Sequence, residues 1–244
     1  KGGVEVKDLF YDQDFFSKLI TFEEGVKQYP KHKIVNFDNW MIVDFEAQLV
    51  FAKGNAPDRT EIMARMVNLD LPLSSLKPEL VLGQSKLDFA DKIIGDEKVV
   101  VLSLHSAGMH RSYPQMRCIR CGFERLGIRV VILDDFLLTK DFLEACALLR
   151  KSSLLITGDT TWVHVANAFD IPSIVIFSSS VPSTVIRTNK KAIPIHGGCT
   201  VDAFPCCLKP QCIDPKDWNS GEVSCFERIN PEDVIEVALK VLKG

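Results

Sequence analysis

The sequence predicts an α/β protein whose second half is a doubly wound parallel sheet. Four runs of residues, at 98–104, 128–133, 154–157 and 173–177, are almost wholly apolar, and helix-like segments separate them. Strands that are apolar on both faces are typical of parallel sheets covered by helices on both sides. Hydrophobic residues make up 46% of the 244 residues, which is enough for a sizeable core.

The helices between these strands have recognisable ends. A polar loop, residues 105–112, follows the first strand, and Pro114 then suits the first turn of a helix that continues through Leu126. Gly127 is the expected stop of that helix. A second helix, over about residues 140–150, leads into the next apolar run. This alternation predicts that all four strands run parallel.

The region before residue 97 has weaker patterns. Ser85 to Asp88 match the capping-box pattern ahead of an apolar helix, and Gly95 is the expected end of that helix. The regular alternation of strands and helices begins only afterwards. We therefore divide the chain into an N-terminal domain, residues 1–96, and a C-terminal domain, residues 97–244.

Charge and composition exclude several classes of function. The formal net charge of −3 removes the usual electrostatic case for nucleic-acid binding. No stretch approaches the ~18 apolar residues of a membrane span, and the start does not resemble a secretory signal. These features indicate a cytoplasmic protein without a nucleic-acid partner.

The most informative stretch runs from Leu154 to Ala168. An apolar strand enters Gly-Asp-Thr-Thr, and an apolar helical pattern follows at once. The start of such a helix favours anions, because its unpaired N–H groups and its dipole point the same way. Asp159 would cap the helix or meet a hydroxyl or cationic group of a ligand, and His164 would share a face with Thr160. The alternative is a capped helix whose histidine serves only the fold.

Polar side chains collect where the predicted strands end. Ligands of such sheets bind outside the carboxyl ends of the strands. Hydroxyls, one arginine and two acids at these ends suit a nucleotide diphosphate and its sugar hydroxyls. The candidates are Ser106, Arg111, Asp134, Asp159, Thr160, Thr161, His164 and Ser178 to Ser180.

Four motifs occur in an order that is typical of one enzyme family. They are His105-Ser106-Ala107 with Arg111-Ser112-Tyr113-Pro114, the strand and helix at 154–168, Val175 to Pro182, and Ile229 to Val234 after a cysteine-rich segment. In this order, residues 97–242 resemble the C-terminal, donor-binding domain of family nine glycosyltransferases, the lipopolysaccharide heptosyltransferase family.

The resemblance implies a fold and a reaction. The fold is GT-B-like, with a Rossmann-type, doubly wound parallel sheet in the C-terminal domain and a smaller or truncated N-terminal α/β domain. The reaction is metal-independent, inverting transfer of a heptose-like or other sugar from a nucleotide-diphosphate sugar to a glycan or glycolipid acceptor, as in lipopolysaccharide biosynthesis. No cofactor is implied, and the acceptor would bring peripheral contact with a membrane.

The resemblance also implies roles in donor binding. Arg111 would neutralise the pyrophosphate, Asp159 would engage donor sugar hydroxyls, and Thr160 and Thr161 would bind phosphate. His164 would lie behind that turn and hold it in place. Together with the positions at strand ends, this assigns donor binding to Ser106, Ala107, Arg111, Asp134, Asp159, Thr160, Thr161 and His164.

Several features depart from the family pattern. Gly158 replaces the usual asparagine, and bulky Trp162 follows Thr161 where small residues are expected. The segment after Asp134 lacks the glutamate-bearing loop that would contact the ribose. Family members also carry a Gly-Asp turn near their start, whose aspartate is the proposed general base, and no such turn occurs near the start here. Either that part is absent from this chain or the domain is reduced, so the catalytic residue is unknown.

These departures leave an alternative to an enzyme. A non-catalytic relative would bind a nucleotide sugar or a glycan and would lack the base of the acceptor domain. A GT-B-like nucleotide-sugar epimerase fits less well, because the late cysteines and the helix start at Arg111 favour the transferase family.

The eight cysteines are unevenly placed. Cys118 and Cys121 fall inside a predicted helix, where buried or incidental thiols are the expectation. The spacing of the late cysteines is not that of a standard zinc ribbon, so a disulfide or plain thiols are favoured over a structural zinc site. Either arrangement would close a loop that has little core of its own. These late cysteines are Cys199, Cys206, Cys207, Cys212 and Cys225.

Overall fold

Five parallel strands form one sheet, in the spatial order β2-β1-β3-β4-β5. The computed structural model describes residues 77–106, 111–134, 138–139, 141–178, 180–198 and 224–244. Every neighbouring pair of strands is parallel, which confirms the prediction for the four apolar runs. The strands are β1 (Val99–Leu102), β2 (Arg129–Ile132), β3 (Leu154–Gly158), β4 (Ser173–Phe177) and β5 (Ala192–His196).

Helices cover both faces of this sheet. The helices of the described residues are α1 (Gln84–Ile94), α2 (Met116–Arg125), α3 (Phe142–Lys151), α4 (Thr161–Ala168), α5 (Ser183–Ile186), α6 (Ser224–Glu227) and α7 (Pro231–Lys243). None of them is long and apolar enough to cross a membrane.

Alternate residues of each strand face two separate cores. Val99 and Val101 of β1 pack with α1, α3 and α4, whereas Val100 and Leu102 pack with α2 and α7. Successive side chains of a strand point to opposite faces, so a strand between two helical layers must be apolar throughout. All four of these side chains are fully buried. The α/β, doubly wound prediction is therefore confirmed.

The strand order creates a crevice between β1 and β3. The chain leaves β1 toward β2 on one side of the sheet and returns to β3 on the other side. The loops after β1 and β3 therefore diverge at the carboxyl end of the sheet. Such a reversal is where open parallel sheets bind their ligands.

The edge strand β5 was not predicted from the sequence, which placed the last core strand at 173–177. It pairs with β4 in register, with Ile193 beside Ile174 and Pro194 beside Val175. Its side chains are half-buried or exposed, so it has no continuous apolar run. Proline is tolerated here because an edge strand does not need every N–H group for pairing.

Helix ends were predicted with mixed success. The capping box at Ser85 is wrong, because α1 already begins at Gln84 and its N-cap, Gly83, makes no side-chain capping bond. Gly95 and Gly127 do end their helices, with φ angles of 65° and 71°, in the region that glycine adopts without strain.

The terminal helix α7 begins at Pro231 and packs against α2. Asn230 caps it, with its side-chain oxygen accepting from the Glu232 N–H at 3.3 Å. A side chain at Gly122 of α2 would overlap Ile235 of α7. The glycine therefore allows the two helices to lie close together over the core that contains Val100 and Leu102.

The predicted N-terminal domain, residues 1–96, lies largely outside the described residues. Its last helix, α1, shares a core with α3. Two ion pairs also join these helices: Lys151 Nζ donates to Asp91 Oδ1 at 2.5 Å, and Lys86 Nζ donates to Asp141 Oδ2 at 2.5 Å. Helix α1 therefore packs with the C-terminal sheet, and the boundary between residues 96 and 97 stays a prediction.

Asp141 caps α3, and its carboxylate forms the ion pair with Lys86 of α1. Its Oδ1 accepts from the Glu144 N–H at 2.9 Å, while its Oδ2 accepts from Lys86. Burial alone would raise the pKa of Asp141, but the bonds from Lys86 and from the backbone outweigh it and hold the pKa below 3.8. Burial likewise opposes the Lys86 charge, yet the bond to Asp141 raises the pKa of Lys86 above 10.5.

We expect Asp141→Ala to lower the free energy of unfolding at pH 7 by about 1–2 kcal/mol, as the loss of a cap and a partly exposed ion pair. The folded pKa of Asp141 is depressed, so its contribution is present above pH 3.8 and is lost as the pH falls through the folded value. Urea unfolding at pH 7 and pH 3 measures both effects. Asp141→Asn, which keeps a capping oxygen, should lose less, and an unchanged midpoint for Asp141→Ala at pH 7 would contradict the prediction.

Candidate functional site

A cleft of about 430 Å³ lies at the carboxyl ends of β1 and β3. This volume is within the range of small-molecule sites. The cleft brings together six of the eight residues predicted to bind a donor. Of the other two, Asp134 lies outside the lining and Ala107 lies outside the described residues. The lining residues are His105, Ser106, Arg111, Phe142, Asp159, Thr160, Thr161, Trp162 and His164.

Asp134 braces the loop after β1. Its Oδ2 accepts from the backbone N–H of Leu104 at 2.6 Å and from that of His105 at 3.0 Å, and Ser103 Oγ donates to it at 3.1 Å. These bonds fix the loop that carries Ser106 into the cleft. The structure thus shows Asp134 as a loop anchor, and its contact with a donor stays a prediction.

The loop that carries Arg111 is packed against the end of β3. A Cβ atom at Gly158 would overlap the carbonyl oxygen of Arg111. Glycine is therefore the residue that lets the backbone of Arg111 approach this strand.

A second contact holds this loop from the C-terminal side. The buried Tyr113 hydroxyl donates to the Ile229 carbonyl at 2.6 Å, and its ring meets Phe226 edge to face with centroids 5.5 Å apart. Burial, with the neighbouring charges of Cys118, Glu232 and Asp233, raises the pKa of Tyr113 to about 12. The raised pKa favours the protonated hydroxyl that donates this bond.

Thr160, and not Asp159, caps α4. Its Oγ1 accepts from the Trp162 N–H at 3.3 Å and lies 3.0 Å from Thr157 Oγ1. Thr161 is the first residue of the helix and is exposed in the cleft. The N-terminal turn of α4 thus presents hydroxyl groups and the positive end of a helix dipole to the cleft.

Asp159 is a buried carboxylate at the same turn, with only 7% of its surface exposed. Its Oδ2 accepts from Ser180 Oγ, in the loop after β4, at 2.6 Å. A carboxylate can accept about four hydrogen bonds, so this one leaves capacity for a ligand hydroxyl. Ser180 thus fixes the orientation of the acid that faces the cleft.

His164 and His196 lie near this edge of the sheet, as does His105. His164, predicted to lie behind the turn, is exposed and lines the cleft. His196, at the end of β5, accepts from the Gly198 N–H at its Nδ1, at 2.8 Å, so its Nε2 donates to the Ser178 carbonyl at 2.7 Å. Burial lowers the pKa of His196, which favours this neutral form.

Sequence reasoning missed an aromatic wall of the cleft. Phe142 begins α3 and Trp162 is the second residue of α4, and their rings stack with centroids 5.0 Å apart and planes at 18°. Trp162 was noticed as a departure from the family pattern, but nothing pointed to Phe142. His105 was likewise part of a motif but not among the predicted site residues.

The cysteine predictions are tested only in part. Cys118 and Cys121 are free and exposed on α2, which fits incidental thiols, the second of the two expectations, and not buried ones. Cys225 is buried. The other late cysteines, Cys199, Cys206, Cys207 and Cys212, lie outside the described residues, so the disulfide, thiol and zinc alternatives stay predictions.

The family resemblance is confirmed by comparison with known proteins. Residues 137–211 match the model of glycosyltransferase family 9 (heptosyltransferase). That span includes Asp159, Thr160, Thr161 and His164 of the cleft, whereas Arg111 precedes it. No curated protein matches the sequence.

Solved structures of glycosyltransferases share the fold. The ADP-heptose lipopolysaccharide heptosyltransferase II of Escherichia coli has a TM-score of 0.53 and 14% identity, over 75% of this chain and 61% of its own. A family 9 glycosyl transferase of Veillonella parvula has a TM-score of 0.51 and 15% identity, over 86% of this chain and 81% of its own.

The iron-containing dodecameric glycosyltransferase TibC of enterotoxigenic Escherichia coli has a TM-score of 0.50 and 17% identity, over 79% of this chain and 54% of its own. The chain thus spans about 61% of the heptosyltransferase II structure. At these identities the structures establish the fold, and with the family match they support a glycosyltransferase.

Proposed function

We propose that the chain binds a nucleotide-diphosphate sugar in this cleft and belongs to a metal-independent, inverting glycosyltransferase. The proposal rests on one observation, that positively and negatively charged groups lie side by side in the cleft. Arg111 and the N-terminal turn of α4 supply positive charge, and the buried Asp159 supplies a carboxylate beside them. A sugar diphosphate has the complementary pattern, with anionic phosphates joined to a neutral, hydroxyl-rich ring.

The phosphates would lie between Arg111 and the turn of Thr160 and Thr161. Within the part of the chain that the structure describes, Arg111 is the single lysine or arginine that lines the cleft. Its guanidinium and the helix N-terminus both favour the negative charge that grows on a departing nucleoside diphosphate. These groups supply the stabilisation for which other transferases use a metal ion.

The transferred sugar would lie against Asp159. A buried carboxylate repels phosphate but accepts bonds from hydroxyl groups, so it separates the two halves of the donor. Ser180 holds one carboxylate oxygen by its 2.6 Å bond. The pair therefore presents the remaining acceptor sites in a fixed direction, which suits recognition of a sugar by its hydroxyls.

The acceptor and the setting are part of the same proposal. A glycan or glycolipid would receive the sugar, heptose-like or other, as in the lipopolysaccharide heptosyltransferase that shares the fold. A glycolipid acceptor would bring the protein to a membrane surface from the cytoplasm. The alternative, a nucleotide-sugar-binding relative without transfer, would bind the same donors and release no nucleoside diphosphate.

Replacing Asp159 with asparagine tests the assignment of the sugar. We expect Asp159→Asn to weaken nucleotide-sugar binding about tenfold, the effect of losing a charge-assisted bond, and to leave binding of the matching nucleoside diphosphate unchanged or tighter. Calorimetric titration with UDP-, GDP- and ADP-sugars and the free diphosphates measures both. Ser180→Ala, which keeps the carboxylate, is the matched control and should lose less.

Two results would contradict the proposal. The first is a parent protein that binds none of these nucleotide sugars. The second is an equal loss of sugar and bare diphosphate in Asp159→Asn. Addition of EDTA should leave donor binding and nucleoside diphosphate release unchanged. A loss of either in EDTA would contradict the proposed metal independence.

A further inference from the structure

The aromatic pair Phe142 and Trp162 forms an apolar part of the cleft lining. The two residues come from the N-terminal turns of α3 and α4, and their rings stack with centroids 5.0 Å apart and planes at 18°. Both are only half-buried, and both pack against the core shared by α1 and α3. The core therefore supports the pair from behind, while part of each side chain lines the cleft.

Other described lining residues are polar. Ser106, Arg111, Thr160 and Thr161 supply hydroxyls and a cation. A ligand that contacts both sets of residues must carry an anionic group and a flat apolar surface. A nucleoside diphosphate has this form, and aromatic side chains bind nucleobases by stacking.

The sugar part of the donor fits the aromatic pair less well. Its hydroxyls are drawn to Asp159, which is buried and oriented by Ser180. The phosphates join the sugar on one side to the nucleoside on the other. If the diphosphate lies on the turn of α4, sugar and nucleoside must leave it in different directions, and the aromatic pair is available to the nucleoside.

We propose that Phe142 and Trp162 hold the nucleobase of the donor, with Trp162 as the principal contact. This rests on the proposed function, because it assigns the base end of the same nucleotide-sugar site. Trp162 directly follows the phosphate-binding turn, so one short segment contacts both the phosphate and the base. The bulky residue that departs from the family pattern is then a specificity-determining residue of this chain.

The test compares ligands with and without a base. Parent, Trp162→Leu and Trp162→Phe are titrated with ADP, GDP, UDP and CDP, and with ribose 5-diphosphate as the base-free probe. We expect Trp162→Leu to weaken the tightest nucleoside diphosphate about tenfold and to leave ribose 5-diphosphate unchanged. Trp162→Phe retains an aromatic face and should recover most of the affinity.

A fluorescence measurement gives a second readout that needs no change at Trp162. The chain has three tryptophans, and Trp40→Phe with Trp218→Phe leaves Trp162 as the sole one. Its emission should be quenched by the tightest nucleoside diphosphate and not by ribose 5-diphosphate. Equal quenching by both, or none by either, would overturn the proposal.

The remaining outcomes of the titration separate this proposal from the proposed function. An equal loss of both ligand types in Trp162→Leu, or a loss confined to nucleotide sugars, would overturn the base assignment and leave the donor site standing. Undiminished nucleoside diphosphate binding in Trp162→Leu would also overturn the base assignment and leave the donor site standing. A parent that binds no nucleoside diphosphate would overturn the proposed function and this inference together.

Discussion

Replacing Arg111 with alanine should weaken nucleoside diphosphate binding by tenfold or more. The loss of one charge-assisted contact costs about 1.5–3 kcal/mol, and each 1.4 kcal/mol is about a factor of ten in affinity. Among the described residues that line the cleft, no other lysine or arginine is present to take over this charge. Calorimetric titration with the tightest nucleoside diphosphate measures the effect.

Two further variants test whether the loss of affinity is specific to the Arg111 side chain. Arg111→Lys keeps the charge but not the planar, two-pronged donor group, and should fall between parent and alanine. Arg125→Ala removes an exposed arginine from the last turn of α2 and should bind like the parent. If Arg111→Ala binds as tightly as the parent, the phosphates do not lie in this cleft.

Replacing Gly158 with alanine should damage both stability and binding. The added methyl group would overlap the Arg111 carbonyl oxygen, and the strand end or the loop must shift to relieve it. Overpacking of this kind costs about 1–3 kcal/mol of folding free energy. Because the displaced backbone carries Arg111, we also expect nucleoside diphosphate affinity to fall about tenfold.

Urea unfolding and calorimetry on the same sample separate the two effects of Gly158→Ala. Gly95→Ala is the matched control, since Gly95 lies at the end of α1 with a φ of 65° and open space around it. It should lose stability through backbone strain and keep its affinity. A Gly158→Ala variant that unfolds and binds like the parent would show that the close approach to Arg111 is unimportant.

The sequence was sufficient to predict the buried strands because two helical layers impose the same demand on every position. All four residues of β1 must be apolar whichever face they occupy, and that leaves an unbroken run. Like β2 at the other edge of the sheet, β5 has a neighbour on one side only and half-buried side chains, but Pro194 interrupts its apolar run and argues against a strand. No local pattern distinguishes such a segment from a loop.

Most of the candidate site could be predicted because parallel strands bring their carboxyl ends to one edge. The direction in which each side chain points could not be predicted. Asp134 stands at a strand end like the other candidates, yet its carboxylate turns to the backbone of the neighbouring loop. The stacking of Phe142 on Trp162 depends on how α3 and α4 pack, and neither residue has a spacing that reveals it.

The bond from Tyr113 to Ile229 has a consequence for the order of folding. It joins residues 116 positions apart, just before α2 and just before α7. During synthesis the strands β1 to β4 emerge well before Ile229, while this carbonyl and the α7 side of the core around Val100 and Leu102 are still missing. The segment around Arg111 therefore gains its last support only when the residues at 229 and beyond have emerged, and long-range contacts of this kind form late because their chain entropy is costly. Nascent chains should acquire their affinity for nucleotides last.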